Sequence, residues 1–204
     1  MYQIVIKNGM IYRGTAECFG PADLAIEDGK ISFIGKINDQ DERIGRLTNV
    51  IDASESMVVP GLVDMHTHIY PLASFGTSAE ASCFASGVTT ALDCGSAGAA
   101  NYEKRRGIIG CSRLRIKTLL NVSSTGVLSG KVNENVDPAL FDRESIRELA
   151  EKYKGEILGL KIRQGAEIVG ELGLKPLEAT IELAEKLGLP VMVHCTNPPG
   201  QLDD

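Results

Sequence analysis

Residues 58–68 read Val58-Val59-Pro60-Gly61-Leu62-Val63-Asp64-Met65-His66-Thr67-His68, a Pro-Gly break followed by an apolar run that ends in His-x-His. Successive side chains in a strand point to opposite faces, so this spacing predicts Asp64, His66 and His68 on one face and Val63, Met65 and Thr67 on the other. Two imidazoles are then aimed at one point. Neutral imidazole is a common ligand for divalent transition metals, and a strand holds two of them with little loss of entropy. Taken alone, the pair could equally be two polar residues closing a strand.

The flanking sequence has two textures. Residues 1 to 60 suggest short strands and tight turns. Ile4 and Ile6 run into Asn8-Gly9, while Ala25 and Ile26 run into Asp28-Gly29 and on to Ile31, Phe33 and Ile34. Both dipeptides are strong hairpin signals. Asn38 to Arg46 is polar and expected to be a loop, and Val50-Ile51 and Met57-Val58-Val59 supply further strands. A small β-sandwich module is expected over residues 1–60.

From Gly61 onward, strands apolar on both faces alternate with helical periodicity, the signature of βα units on a parallel sheet. Strands are expected at about 62–68, 88–94, 115–121, 157–162 and 190–194. A capping box of Thr77 and Glu80 would open a helix over Ala81 to Ser86, and a second, Gly-interrupted helix is expected near 99–110. Ile146, Leu149, Ala150 and Tyr153 form one helical stripe; Leu177, Ile181, Ala184 and Leu187 form another, between Pro176 and Gly188. Residues 123 to 137 read as a long loop.

In a (β/α) barrel, functional residues gather at the C-terminal ends of the strands. His66 and His68 close the first strand, and His194, the third of only three histidines, closes the fifth. In Ile157-Leu158-Gly159-Leu160-Lys161-Ile162, alternation sends Leu158, Leu160 and Ile162 towards the helices and Lys161 inward over Gly159. A lysine in a water-poor interior has a depressed pKa, and its neutral amine can add carbon dioxide to form a carbamate. That anion could bridge two metal ions about 3.5–4 Å apart. A lysine snorkelling at a strand end would give the same pattern.

Together these features resemble the amidohydrolase superfamily, over nearly the whole chain. The resemblance implies that His66 and His68 in "PGLVDMHTH" bind a first metal, that a carboxylated Lys161 in "LGLKIR" bridges two, and that His194 in "LPVMVHC" binds the second. The β module, "HTHIYP" and the stretch from Gly159 to Gly200 look like the dihydroorotase-like deacetylase branch. Ile69 and Tyr70 stand where dihydroorotases usually carry an arginine, which makes dihydroorotase or another cyclic amidase the second reading. The implied activity is hydrolysis of an amide or acyl ester of a small molecule by a metal-bridging hydroxide. Zinc fits imidazole and carboxylate-like ligands, and manganese or iron would fit them too. Tyr70 and Arg163 are candidate substrate contacts.

A full barrel takes about 250 residues; residues 61–204 hold five strands, so the fold expected is a (β/α)8 barrel truncated after the fifth. The family's strand-six histidine and strand-eight aspartate are missing, since Asp203 and Asp204 follow His194 too soon. The chain therefore reads as the front half of an enzyme, inactive by itself, with an open sheet edge that favours a homo-oligomer. A catalytically inactive half-barrel remnant is the rival of another class. A nucleotide binder would need a Gly-rich loop after the first strand, and "HTHIYPLASFGT" offers none.

Composition narrows the partners. A net charge of -6 gives no basic stripe for nucleic acid, and no apolar run reaches the roughly 20 residues of a membrane span. Five cysteines without a CxxC pair argue against a disulfide framework, so a cytoplasmic protein with buried thiols is expected.

Overall fold

The structure is a computed structural model that describes residues 1–14, 19–70, 76, 78–127 and 134–200. The chain divides into two compact units, Met1–Pro60 and Gly61–Asp204.

The first unit is built on β1 (Ile4–Tyr12), which pairs antiparallel with β2 (Phe19–Glu27); β2 in turn pairs with β3 (Lys30–Gly35). On its other edge β1 takes β4 (Asn49–Asp52) and then β5 (Met57–Val58), both parallel. The described residues thus form one continuous five-stranded sheet in place of the expected two-layered sandwich, because nine-residue β1 is long enough to carry both short strands along one edge. Asp28-Gly29 is the β2–β3 hairpin turn, with φ of 50° and 70°. Asn8-Gly9, expected as a second hairpin, is instead a bulge inside β1, where Asn8 has φ 63° and the register slips between Ile6 and Gly9. Asp23 secures that bulge by accepting the Asn8 and Ile37 N–H groups, each at 2.8 Å.

In the second unit β6 (Leu62–Thr67), β7 (Val88–Gly98), β8 (Arg115–Asn121), β9 (Ile157–Arg163) and β10 (Val191–His194) lie in chain order in one parallel sheet. The intervening helices are α1 (Ala79–Ala85), α2 (Tyr102–Ile109), α3 (Arg143–Lys152), a short α4 (Ala166–Val169) and α5 (Lys175–Leu187). This is the parallel half-barrel that alternating texture foretold. Its main core joins Leu120, Leu160 and Ile162 of the strands to Ile146, Leu149, Leu183 and Ala184 of the helices. No described helix is long and apolar enough to cross a membrane.

Local signals were followed with two changes. The Asp142 side chain caps α3 by accepting the Ser145 N–H, and Gly188 ends α5 at φ 64°. The buried face of α5 keeps Leu177, Ala184 and Leu187 on the core as expected and adds Pro176, Thr180 and Leu183, while Ile181 is exposed. Thr180 can be buried because its hydroxyl bonds the Pro176 carbonyl within the helix. Thr77, and with it the expected capping box, lies outside the described residues; Glu80 has other partners. Its carboxylate accepts the Ser112 hydroxyl and the Arg113 N–H, tying α1 to the turn before β8.

Leu158 sits exposed at the start of β9, while Leu160 and Ile162 pack on the helices as alternation requires. Gly159 has a packing reason to be glycine: a Cβ there would lie 2.6 Å from the Pro190 carbonyl oxygen and 2.9 Å from Leu119 Cδ2. At Gly188 a Cβ would meet nothing within 4 Å, and only the left-handed backbone would be strained. Gly159→Ala should therefore lower the urea stability of the protein by about 1–3 kcal/mol through overpacking, against about 1 kcal/mol for Gly188→Ala. Equal midpoints for the two variants would contradict this packing.

Candidate metal centre

His66 and His68 stand at the C-terminal end of β6, their ring centroids 5.9 Å apart in an edge-to-face arrangement. Thr67, between them, is in register with Asp93, and Ile69 packs with Cys83, Ala91 and Leu114 on the helix side. The two imidazoles therefore point to the opposite, interior side. Asp64 does not share their face as strict alternation suggested. It is in register with Ala91, a member of the helix-side cluster, and a register irregularity between Asp64 and Thr67 breaks the alternation. Its carboxylate instead accepts the His66 N–H at 3.0 Å.

Lys161 is on β9, in register with Asn121 of β8 and Met192 of β10; Arg163, two residues on, is in register with His194. Lys161 is 2% exposed, and among the described residues its Nζ has no hydrogen-bond partner. Its stem lies against Gly95, where φ is +82° and a Cβ would come within 2.6 Å of Lys161 Cγ.

The electrostatics show that these groups share one space. Burial pulls the Lys161 pKa down, with Arg163 adding repulsion and Cys94, Glu134 and Cys195 opposing it. Burial also lowers His66, helped by Lys161 and His194. For His68, burial followed by the charges of His66, Lys161, Arg163 and His194 brings the pKa to about 4. Both imidazoles are thus neutral at pH 7, the form that binds metal. Among the described residues no three His, Cys, Asp or Glu donors converge in a metal-binding group. Two imidazoles, a third in electrostatic range and a buried amine without a described partner are the donors that a divalent ion would have here.

The sequence did not single out the polar residues that surround this interior. Asn121 donates from Nδ2 to the Gly95 carbonyl at 3.1 Å and to Glu134, and Glu134 pairs with Arg163 at 3.3 Å. Asp93 and Ser96 are fully buried beside His68, whose Nδ1 is 2.9 Å from Ser96 Oγ. Polar residues at the ends of β7 and β8, inside otherwise apolar runs, were the available signal. Tyr70, expected to touch substrate, is not presented to the site: its ring is fully buried in the core with Tyr102, Leu120 and Val122, and burial pushes its hydroxyl pKa up. Arg163 is beside the site, with its guanidinium held by Glu134 and, at 3.6 Å, by Glu167.

Known proteins resemble this chain in sequence and in fold. A deacetylase of Agrobacterium fabrum is 36% identical over 180 residues, 87% of this chain and 43% of its own length. A solved dihydroorotase superposes with a TM-score of 0.83 at 31% identity, covering 98% of this chain and 53% of that one. The chain belongs to the amidohydrolase superfamily. No family model matches. A solved adenine deaminase shares the fold, with a TM-score of 0.84 at 23% identity. The chain spans about half the length of the relatives that it matches.

A buried ammonium with no partner among the described residues works against folding. Because the folded state disfavours protonated Lys161, the unfolded chain binds more protons between the lowered folded-state pKa and the ordinary lysine value of 10.5, so the stability of metal-free protein climbs as pH rises through that window. Replacing Lys161 by Met should stabilise the metal-free, bicarbonate-free protein at pH 7, and the advantage should shrink by pH 10. Urea titrations at the two pH values test this; a destabilised Lys161→Met protein at pH 7 would contradict it.

Proposed function

We propose that this superfamily member contributes to a metal-dependent hydrolase that cleaves the amide or acyl ester of a small molecule, with deacetylation the first candidate reaction. The observation that carries the reading is the orphaned Lys161 amine facing two neutral imidazoles. Homology to deacetylases supports the choice of reaction. A D-hydantoinase of Rhizobium radiobacter, 45% identical over 92 residues, makes cyclic amides the second substrate class.

His66 and His68 would hold one divalent ion, His194 a second, and a carboxylated Lys161 would join them, zinc being the ion of choice. When bound, such ions supply Lewis acidity and acidify a coordinated water. The chain's own residues do the rest. β6 and β9 keep the donors rigid, Gly95 leaves room for the lysine stem, and the Asn121–Glu134–Arg163 chain braces the wall beside Lys161. Cys83, Cys94, Cys111 and Cys195 are free thiols, which suits a cytoplasmic setting.

The experiment is a substrate panel, N-acetyl amino acids against dihydroorotate and hydantoins, with the zinc-supplemented protein at its full natural length. Hydrolysis of the acetyl compounds is expected. His66→Ala and His68→Ala should each lower zinc content and abolish turnover. Lys161→Ala should be inactive and partly rescued by short carboxylic acids, and native mass spectrometry should show added carbon dioxide that is lost on acidification. A zinc-loaded, active protein with unmodified Lys161 would refute the bridging role.

A further inference from the structure

Two side chains outside the four proposed ligands form a buried chain that ends on His68. Asp93 is fully buried on β7, and its two carboxylate oxygens accept the Ile69 N–H at 3.1 Å and the Ser96 N–H at 2.9 Å. The first of these bonds pins the backbone immediately after His68. The second is possible because Gly95, at φ +82°, turns the chain back so that Ser96 returns over Asp93. The Ser96 hydroxyl bonds the same carboxylate and lies 2.9 Å from His68 Nδ1.

Counting protons decides the polarity of this chain. An ionised carboxylate accepts only, so the single hydroxyl proton of Ser96 goes to Asp93. Ser96 Oγ then faces His68 with lone pairs alone, and Nδ1 must be the donor. A neutral imidazole has one N–H, so Nε2 is left bare. We propose that Asp93 and Ser96 are positioning residues that hold His68 as its Nδ1–H tautomer, with the Nε2 lone pair turned to the interior. Its use as a metal donor rests on the function proposed above; the tautomer itself does not.

A purely structural staple would also explain the two backbone bonds, but it would leave the ring indifferent to the Ser96 hydroxyl. The test uses the protein at its full natural length, labelled with 15N-histidine and stripped of metal by a chelator, and reads the His68 tautomer from long-range 1H–15N spectra. Wild type should show protonated Nδ1, Ser96→Ala should shift His68 towards the Nε2–H form, and Ser96→Thr, which keeps a hydroxyl, should restore it. Zinc affinity measured by competition with a chromophoric chelator should fall about 10–100-fold in Ser96→Ala and recover in Ser96→Thr. Protonated Nε2 in wild type, or a Ser96→Ala protein with unchanged tautomer, would overturn the proposal, and the wild-type spectrum decides even if the alanine variant fails to fold. A hydroxyl-dependent tautomer in a protein that binds no zinc would uphold the relay and reject the metal reading instead.

Discussion

The Lys161 amine sits in the interior of the parallel sheet at 2% exposure with no described partner, and a desolvated ammonium costs several kcal/mol even after relaxation. Much of the local structure makes sense as accommodation of that side chain. Gly95 adopts a left-handed backbone that leaves the stem room, and Gly159 lets β9 approach Pro190 and Leu119 closely enough to hold register with β10. Leu92, Cys94, Leu119 and Met192 pack into a small apolar cluster on the interior side, keeping water from the stem. Such a site favours neutral amine, and neutral amine is what reacts with carbon dioxide.

Charge follows from the same geometry. His66, His68, His194 and Arg163 all face the space that Lys161 faces, and burial, helped by the charges gathered there, lowers the pKa of His66, His68 and Lys161. The protonated forms of those three are therefore disfavoured, and the cluster is short of an anion. A carbamate would add the anion and a divalent ion would use the lone pairs, which is why the two belong together in the proposed function. Glu134 cannot play that part, because its carboxylate is committed to Asn121 and Arg163.

Much of this was legible in the chain. The β–α alternation after Gly61 reflects burial on both strand faces, so strand positions could be read to within a residue or two, and β7 alone ran longer, to Gly98. What misled was geometry that periodicity does not encode. Asn8-Gly9 fits a bulge as well as a hairpin, since both need a positive φ. Asp64 left the histidine face through a register irregularity, and Ile181 gave up its place to Thr180 because a hydroxyl bonded within its own helix can be buried cheaply. The His68–Ser96–Asp93 chain joins strands 25 and more residues apart in sequence, and only tertiary pairing brings them together.

The two residues first chosen as substrate contacts show how this sheet separates chemistry from recognition. Tyr70 follows His66 and His68, but with Ile69 already packed against Cys83, the chain has left the interior before the tyrosine is reached, and its ring fills the helix-side core. Arg163 does point along the Lys161 face, yet each guanidinium arm already meets a carboxylate. One of these, Glu134, is almost wholly buried, and removing its arginine would strand a carboxylate in a dry interior, a far larger penalty than losing an exposed pair. Arg163 is therefore a counter-ion to the wall before it is a grip for any ligand. Of the two cations on this face, Arg163 is already matched by carboxylates while Lys161, among the described residues, is not, so the polar imbalance of the strand ends is concentrated at the lysine.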